Sequence, residues 1–148
     1  MKPGDRLSRL TPVQRVAQQR EQQAATALAD SVATLREAEL THAQLVQYRS
    51  GYTRPGQASR IDTRRWQDYH EFLDKLDQAV SAQQAVIEDQ QLRVNAARSR
   101  WQSAHGRVSA LGKLIEQLRE EQQQLRARST QRELDERAQH MLPRPFSR

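Results

Sequence analysis

From Tyr69 onward, steps of alternately four and three residues land on Leu73, Leu76, Val80, Gln83, Ile87, Gln90, Val94, Ala97, Trp101, Ala104, Val108, Leu111, Ile115, Leu118, Gln122 and Leu125. All but the three glutamines are apolar. No globular strand or short helix needs a heptad seam held over so many turns, so the pattern predicts one long helix built to lie against another. The first half of the chain has a poorer stripe through Val13, Ala17, Ala24, Leu28, Val32, Leu35, Ala38, Leu45 and Tyr52. It slips by a residue after Leu35, where Ala38 and Leu45 fit better than Glu39 and Val46, and a local stutter is expected there.

Punctuation sets the arms. Met1 to Arg9 is basic and expected to fray, while Thr11-Pro12 reads as an N-cap followed by proline at the first helical position. Helix 1 is expected over about residues 12–50. Gly51, Pro55 and Gly56 then make a turn over about 51–60, helix 2 follows over about 61–139, and Pro143 and Pro145 exclude helix from a tail at 140–148. The expected architecture is all-α: a long antiparallel two-helix coiled-coil hairpin with a longer second helix, one elongated domain over 1–148.

Unequal arms carry a functional inference. With the turn centred near residue 56, Leu28 would lie near Gln84 and Val13 near Ser99, and helix 1 would run out by about residue 102. Beyond it the seam continues through Val108, Leu111, Ile115, Leu118 and Leu125, an overhang of ~23 residues or ~35 Å. Burying four or five such side chains is worth roughly 1.5 to 3 kcal/mol each before ordering costs. The occupant is a docking partner, the segment Met1 to Leu10 folded along it, or a second copy of the chain. A further irregularity lies near the turn, where Phe72, Ala79 and Val86 hold positions that a simple two-stranded seam keeps polar. Either the loop or Tyr48 and Tyr52 fold over them, or they are an exposed patch for another protein.

Composition fits this reading. Across 148 residues only 36% are hydrophobic and 5% aromatic, enough for a core one stripe wide but not for a compact two-layer core. The absence of cysteine excludes disulfides and thiolate metal sites. Neither a signal peptide nor a membrane-spanning run is apparent, and the chain reads as cytoplasmic. Net charge is +6, with Arg93, Arg98, Arg100, Arg107, Arg119, Arg126, Arg128 and Arg132 along the late helix. These make a solvated helix face or a surface for an acidic protein partner. Nucleic acid is the weakest partner, because no aromatics interleave with the arginines and Glu120, Glu121, Glu133, Asp135 and Glu136 interrupt them.

Catalytic constellations are missing from the pattern. His70-Glu71 is followed one turn later by Asp74 and not by a second histidine, so a zincin site fails, and serines and threonines lack a base or an oxyanion loop. The expectation is a non-enzyme without metal or cofactor. Gly106 and Gly112 sit inside the helical pattern at about 1 kcal/mol each relative to alanine. They permit close approach of a partner backbone or soften the helix.

The run Arg65-Trp66-x-x-Tyr69-x-x-Phe72-Leu73-x-x-Leu76-x-x-Ala79-Val80, opening a long helix after a broken first one, resembles the FliJ family of flagellar export proteins. Leu7, Leu10, Val13, Trp101 and the segment Leu134-Asp135-Glu136-Arg137-Ala138 fall where that family has similar features. The resemblance implies an antiparallel coiled coil, similar to the central stalk of rotary ATPases, that enters the hexameric export ATPase ring by the end holding both termini. It implies contact with the export gate membrane protein through Phe72, Leu76 and Ala79, and cycling of export chaperones. It also implies a place at the cytoplasmic face of the inner membrane, peripheral through the export apparatus. The ring contact is then expected on Val108, Leu111, Ile115 and Leu118 with Arg119 and Arg126. The equivalent stalk of a virulence secretion system is a rival, and a basic coiled-coil scaffold or RNA-binding protein is an alternative of another class.

Overall fold

The computed structural model describes residues 2–52 and 63–141, which form α1 (Pro3–Tyr52) and α2 (Thr63–Met141). They pack against each other as an antiparallel hairpin whose second arm is longer, with no strand among the described residues. Gly51 and Tyr52, expected in the turn, close α1 instead; the rest of that turn from residue 53, and the tail from residue 142, lie outside the described residues.

The start of α1 corrects the expectation at Pro12. Pro3 opens the helix, where its missing N–H costs nothing, and the Lys2 carbonyl accepts from the N–H groups of Asp5 and Arg6 at 3.1 and 3.3 Å. Asp5 supplies the acidic first turn that suits a helix N-terminus. Thr11 is not a cap: its hydroxyl donates back to the Leu7 carbonyl at 2.9 Å, the habit of a threonine inside a helix. Pro12 is interior and exposed. The segment expected to fray is helical from Pro3, with Leu7 and Leu10 half-buried.

Burial follows the α2 seam closely. Every expected seam position from Tyr69 to Gln122 is buried or half-buried, and elsewhere on α2 only Ala79 and Gly112 are not exposed. Leu125, the last expected member, is exposed. On α1 the covered positions Leu7, Leu10, Gln14, Ala17, Glu21, Ala24, Leu28, Ser31, Leu35, Ala38, His42, Leu45, Arg49 and Tyr52 make an unbroken alternation of three and four, with Ala25 and Val32 half-buried beside it and Pro3 and Gly4 ahead of it. The expected stutter after Leu35 is therefore absent, and Val13 is exposed while Gln14 takes the seam. The expectation followed apolar residues; the fold follows the partner helix, and of the polar side chains on the α1 seam Glu21 and Arg49 bond across it.

Packing divides into two units, residues 22–103 and residues 1–21 with 104–148. The first buries Ala38, Leu76, Ile87, Val94 and Ala97; the second buries Ala17, Ile115 and Leu118. Removing a Leu or Ile side chain from water is worth roughly 1.5 to 3 kcal/mol, so these few residues dominate each unit.

Candidate functional site

Within residues 22–103 the pairing register is written in polar contacts. Gln83 donates its amide Nε2 to the Ala38 carbonyl at 3.0 Å, and the Tyr69 hydroxyl donates to the Tyr52 carbonyl. Arg49 grips Asp77 with two N–H groups, Nη2 to Oδ2 at 3.1 Å and Nε to Oδ1. That hydrogen bond, with the Asp77 charge behind it, pushes the Arg49 guanidinium above its ordinary value. With Ala38 opposite Gln83, Leu28 falls at the level of Arg93, about two and a half turns past the expected Gln84. Leu28 shares a groove with Trp101, lined also by Ala25, Ala29, Val32 and Ala33.

The same unit holds the gate-contact candidates. Phe72 keeps 37% of its surface exposed while its ring meets Tyr52 edge-on at 5.1 Å and Tyr48 at 6.3 Å. Tyr48 and Tyr52, one turn apart, bring their rings to 5.0 Å and their hydroxyls to 2.9 Å. That hydrogen bond, helped by partial burial, raises the Tyr52 phenol above the usual tyrosine range. The tyrosines thus cover one side of Phe72 and leave the other to solvent. Leu76 is core at 8% exposure, Ala79 is half-buried, and Val86 is exposed. Only Phe72 of the three candidates presents a large apolar surface. Trp66, in the motif that opens α2, is exposed and meets the His70 ring edge-on at 4.0 Å.

Within the other unit the expected overhang is relocated. Leu118 at 3% exposure is the most deeply buried of the described hydrophobic residues, Ile115 is buried at 5%, and Val108 and Leu111 are half-buried. Leu10 lies with Leu114 and Leu118 around a cleft of ≈ 310 Å³ rimmed by Arg6 and Arg9. Glu21 meets His105 Nδ1 at 3.1 Å, and a Cβ placed on Gly4 would stand 3.1 Å from Gln122 Nε2. Helix α1 therefore accompanies α2 as far as Gln122, not to residue 102, because it starts at Pro3. The segment Met1 to Leu10, one of the three occupants considered, is the one that covers Leu118. Beyond Gln122 every residue to Met141 is exposed, about 19 residues or ~28 Å of bare helix. Arg119 and Arg126 are both exposed at this end. Sequence reasoning missed Arg6 and Arg9 as neighbours of Leu118; the signal was Lys2-Pro3-Gly4-Asp5, an N-terminal proline and acid ahead of Leu7 and Leu10.

Among the described residues no group of three His, Asp or Glu side chains is placed to hold a metal ion, and no helix is long and apolar enough to cross a membrane. What remains is a helical hairpin whose chemistry is contact: an aromatic patch, and a helix end without a partner helix. The family model described as Flagellar FliJ protein matches residues 6–145, nearly the whole chain. The chain belongs to that family of flagellar export proteins, and its role lies in flagellar type III protein export. No curated protein and no solved structure matches it.

Proposed function

We propose that this protein is the central stalk and coupling protein of the flagellar export apparatus, engaging the hexameric export ATPase with its bare helix end and the export gate with its aromatic patch. The observation that carries the reading is the helix past Gln122, exposed on every side and continuous with a tightly packed seam. A stiff single helix of ~28 Å suits insertion into a ring mouth, while the hairpin behind it is too wide to follow without a larger opening. In this reading Arg119 and Arg126 meet acidic or polar groups of the ring. Val108, Leu111, Ile115 and Leu118 hold the end on which those arginines stand, which replaces their expected role as free docking side chains. Phe72, with Leu76 and Ala79 beneath and beside it, receives the gate, and exchange of export chaperones accompanies these contacts. The protein would then act at the cytoplasmic face of the inner membrane without crossing it.

Truncation after Gln122 tests the ring contact. The shortened chain should keep its seam and its melting behaviour yet lose ATPase stimulation; a truncated chain that stimulates at full strength sinks the assignment. Charge reversal at Arg119 and Arg126 should slow association in a salt-dependent way. For the gate, Phe72→Ala should weaken binding of the membrane export component with helicity retained. A fall in melting temperature with unchanged affinity would make Phe72 merely core.

A further inference from the structure

The bare helix end is self-complementary. Past Leu125, the last residue of the earlier seam, the apolar positions change phase and recur at Ala127, Leu134, Ala138 and Met141, with Gln131 completing a four-three alternation. Along the same stretch Arg126, Arg128 and Arg132 come first, then Glu133, Asp135 and Glu136, and Arg137 follows them. The ordinary fate of such charges is an ion pair one turn away on their own helix. Among the described residues, none of Arg126, Arg128, Arg132, Glu133, Glu136 or Arg137 is in an ion pair. Asp135 is held by Gln131, whose Nε2 donates to its Oδ1 at 3.1 Å.

We infer that residues 124–141 pair antiparallel with the same segment of a second copy of this chain. In the heptad set by Leu134, Ala127, Leu134 and Met141 take d positions and Gln131 and Ala138 take a. An antiparallel pair then stacks Ala127 on Ala138, Gln131 on Leu134 and Gln124 on Met141. Arg128 and Asp135 occupy the flanking e positions, and antiparallel helices bring e beside e. Each Arg128 therefore meets Asp135 of the other copy, and the two-fold axis makes the contact twice. A parallel pair would set Arg128 beside Gln123 and Asp135 beside Thr130, with no ion pair, so charge selects the orientation. Met141 of one copy reaches Gln124 of the other, which leaves Gln122 to Gly4 of α1.

The seam is narrow, with alanine and glutamine at most of its core positions, and the association is accordingly weak and reversible. It does not rest on the ring reading. Self-pairing nevertheless covers the helix end that a stalk role requires free, so the dimer is a resting form of that surface.

Sedimentation of the intact chain from micromolar to millimolar concentration should show a monomer–dimer equilibrium. Arg128→Asp should weaken it roughly tenfold, because each substitution acts at both symmetric contacts, and Asp135→Arg should do the same. The double variant R128D/D135R, with the pair reversed, should dimerise again. The chain has no native cysteine, so orientation can be read directly. A mixture of Ala127→Cys and Ala138→Cys chains should form mixed disulfides in preference to either homodimer. A monomer throughout the concentration range, no recovery in the double variant, or a preference for like-with-like disulfides would each overturn the inference.

Discussion

Residues 22–103 and the unit made by the two chain ends are held by different chemistry. In the first, Arg49–Asp77, Gln83–Ala38 and Tyr69–Tyr52 bond across the helices at three levels, so register is fixed by groups that accept no other alignment. In the second, the contact of Glu21 with His105 accompanies the burial of Ala17, Ile115 and Leu118. Apolar contact is non-directional and grows with area, whereas a hydrogen bond is modest in net energy and strict in geometry. The inference is that the aromatic unit specifies alignment while the terminal unit supplies tight closure beside a helix end left bare.

The largest effect should come from the terminal unit. Leu118→Ala removes a side chain only 3% exposed and should cost about 2–5 kcal/mol, read as a fall in melting temperature. Leu125→Ala, one heptad on and half exposed, should change stability by less than about 0.5 kcal/mol. Equal losses at the two positions would mean that the seam continues past Gln122, and the contrast between closed and bare helix would fail.

Pro12→Ala comes next. Proline within a helix lacks a donor and crowds the preceding turn, at about 3 kcal/mol relative to alanine. Pro12 is exposed, so the substitution disturbs no core and should raise the melting temperature by part of that amount. An unchanged melting temperature would show that α1 has already relaxed around the ring.

The α2 seam was legible because its period is regular and its residues large; all its positions from Tyr69 to Gln122 are covered as expected. The α1 seam was legible in part: Ala17, Ala24, Leu28, Val32, Leu35, Ala38, Leu45 and Tyr52 are covered as expected, while Gln14, Glu21, Ser31, His42 and Arg49 hold places that an apolar pattern does not reveal. Glu21 and Arg49 are tolerated there because His105 and Asp77 on α2 bond back, and those partners are invisible along one strand of sequence. Misreading the α1 start had the larger consequence. Taking Pro12 as the first residue removed Leu7 and Leu10 from the packing, and Leu118 became a docking residue when it is core. Phe72 was found from its position in the heptad, and of the two readings given for it the one in which Tyr48 and Tyr52 fold over the side chain is what the rings do on one side.

Gln83→Ala tests the polar register directly. Loss of the bond to the Ala38 carbonyl should cost about 1 kcal/mol, with the larger consequence in alignment. Cysteines introduced at Ala38 and Gln83 should form a disulfide readily in an otherwise native chain. Failure to crosslink would remove Gln83 from the set of contacts that fix the alignment.

In the terminal unit, Gly106→Ala and Gly112→Ala should each stabilise by about 0.5–1 kcal/mol, since glycine is a poor helix former. An added Cβ meets nothing within 4 Å at either site. Close approach of α1 is therefore not why they are glycine. Destabilisation by either alanine, measured by thermal melting, would reveal a contact that this geometry lacks.

The smallest effect belongs to the aromatic unit and is seen only at alkaline pH. Tyr52 holds its proton more tightly in the fold than in the unfolded chain, first through the hydrogen bond with Tyr48 and then through partial burial. A raised folded-state pKa means that the protonated fold is favoured. The contribution is complete below the unfolded tyrosine value of about 10 and is lost as pH rises through the higher folded value. Phenolate absorbance should therefore show one tyrosine ionising late. Tyr48→Phe removes the hydroxyl partner and should bring that titration back toward the ordinary value while leaving the ring contact with Phe72 in place. If the late titration survives the substitution, burial and not the hydroxyl pair holds the proton, and the aromatic unit would rest on area as the terminal unit does.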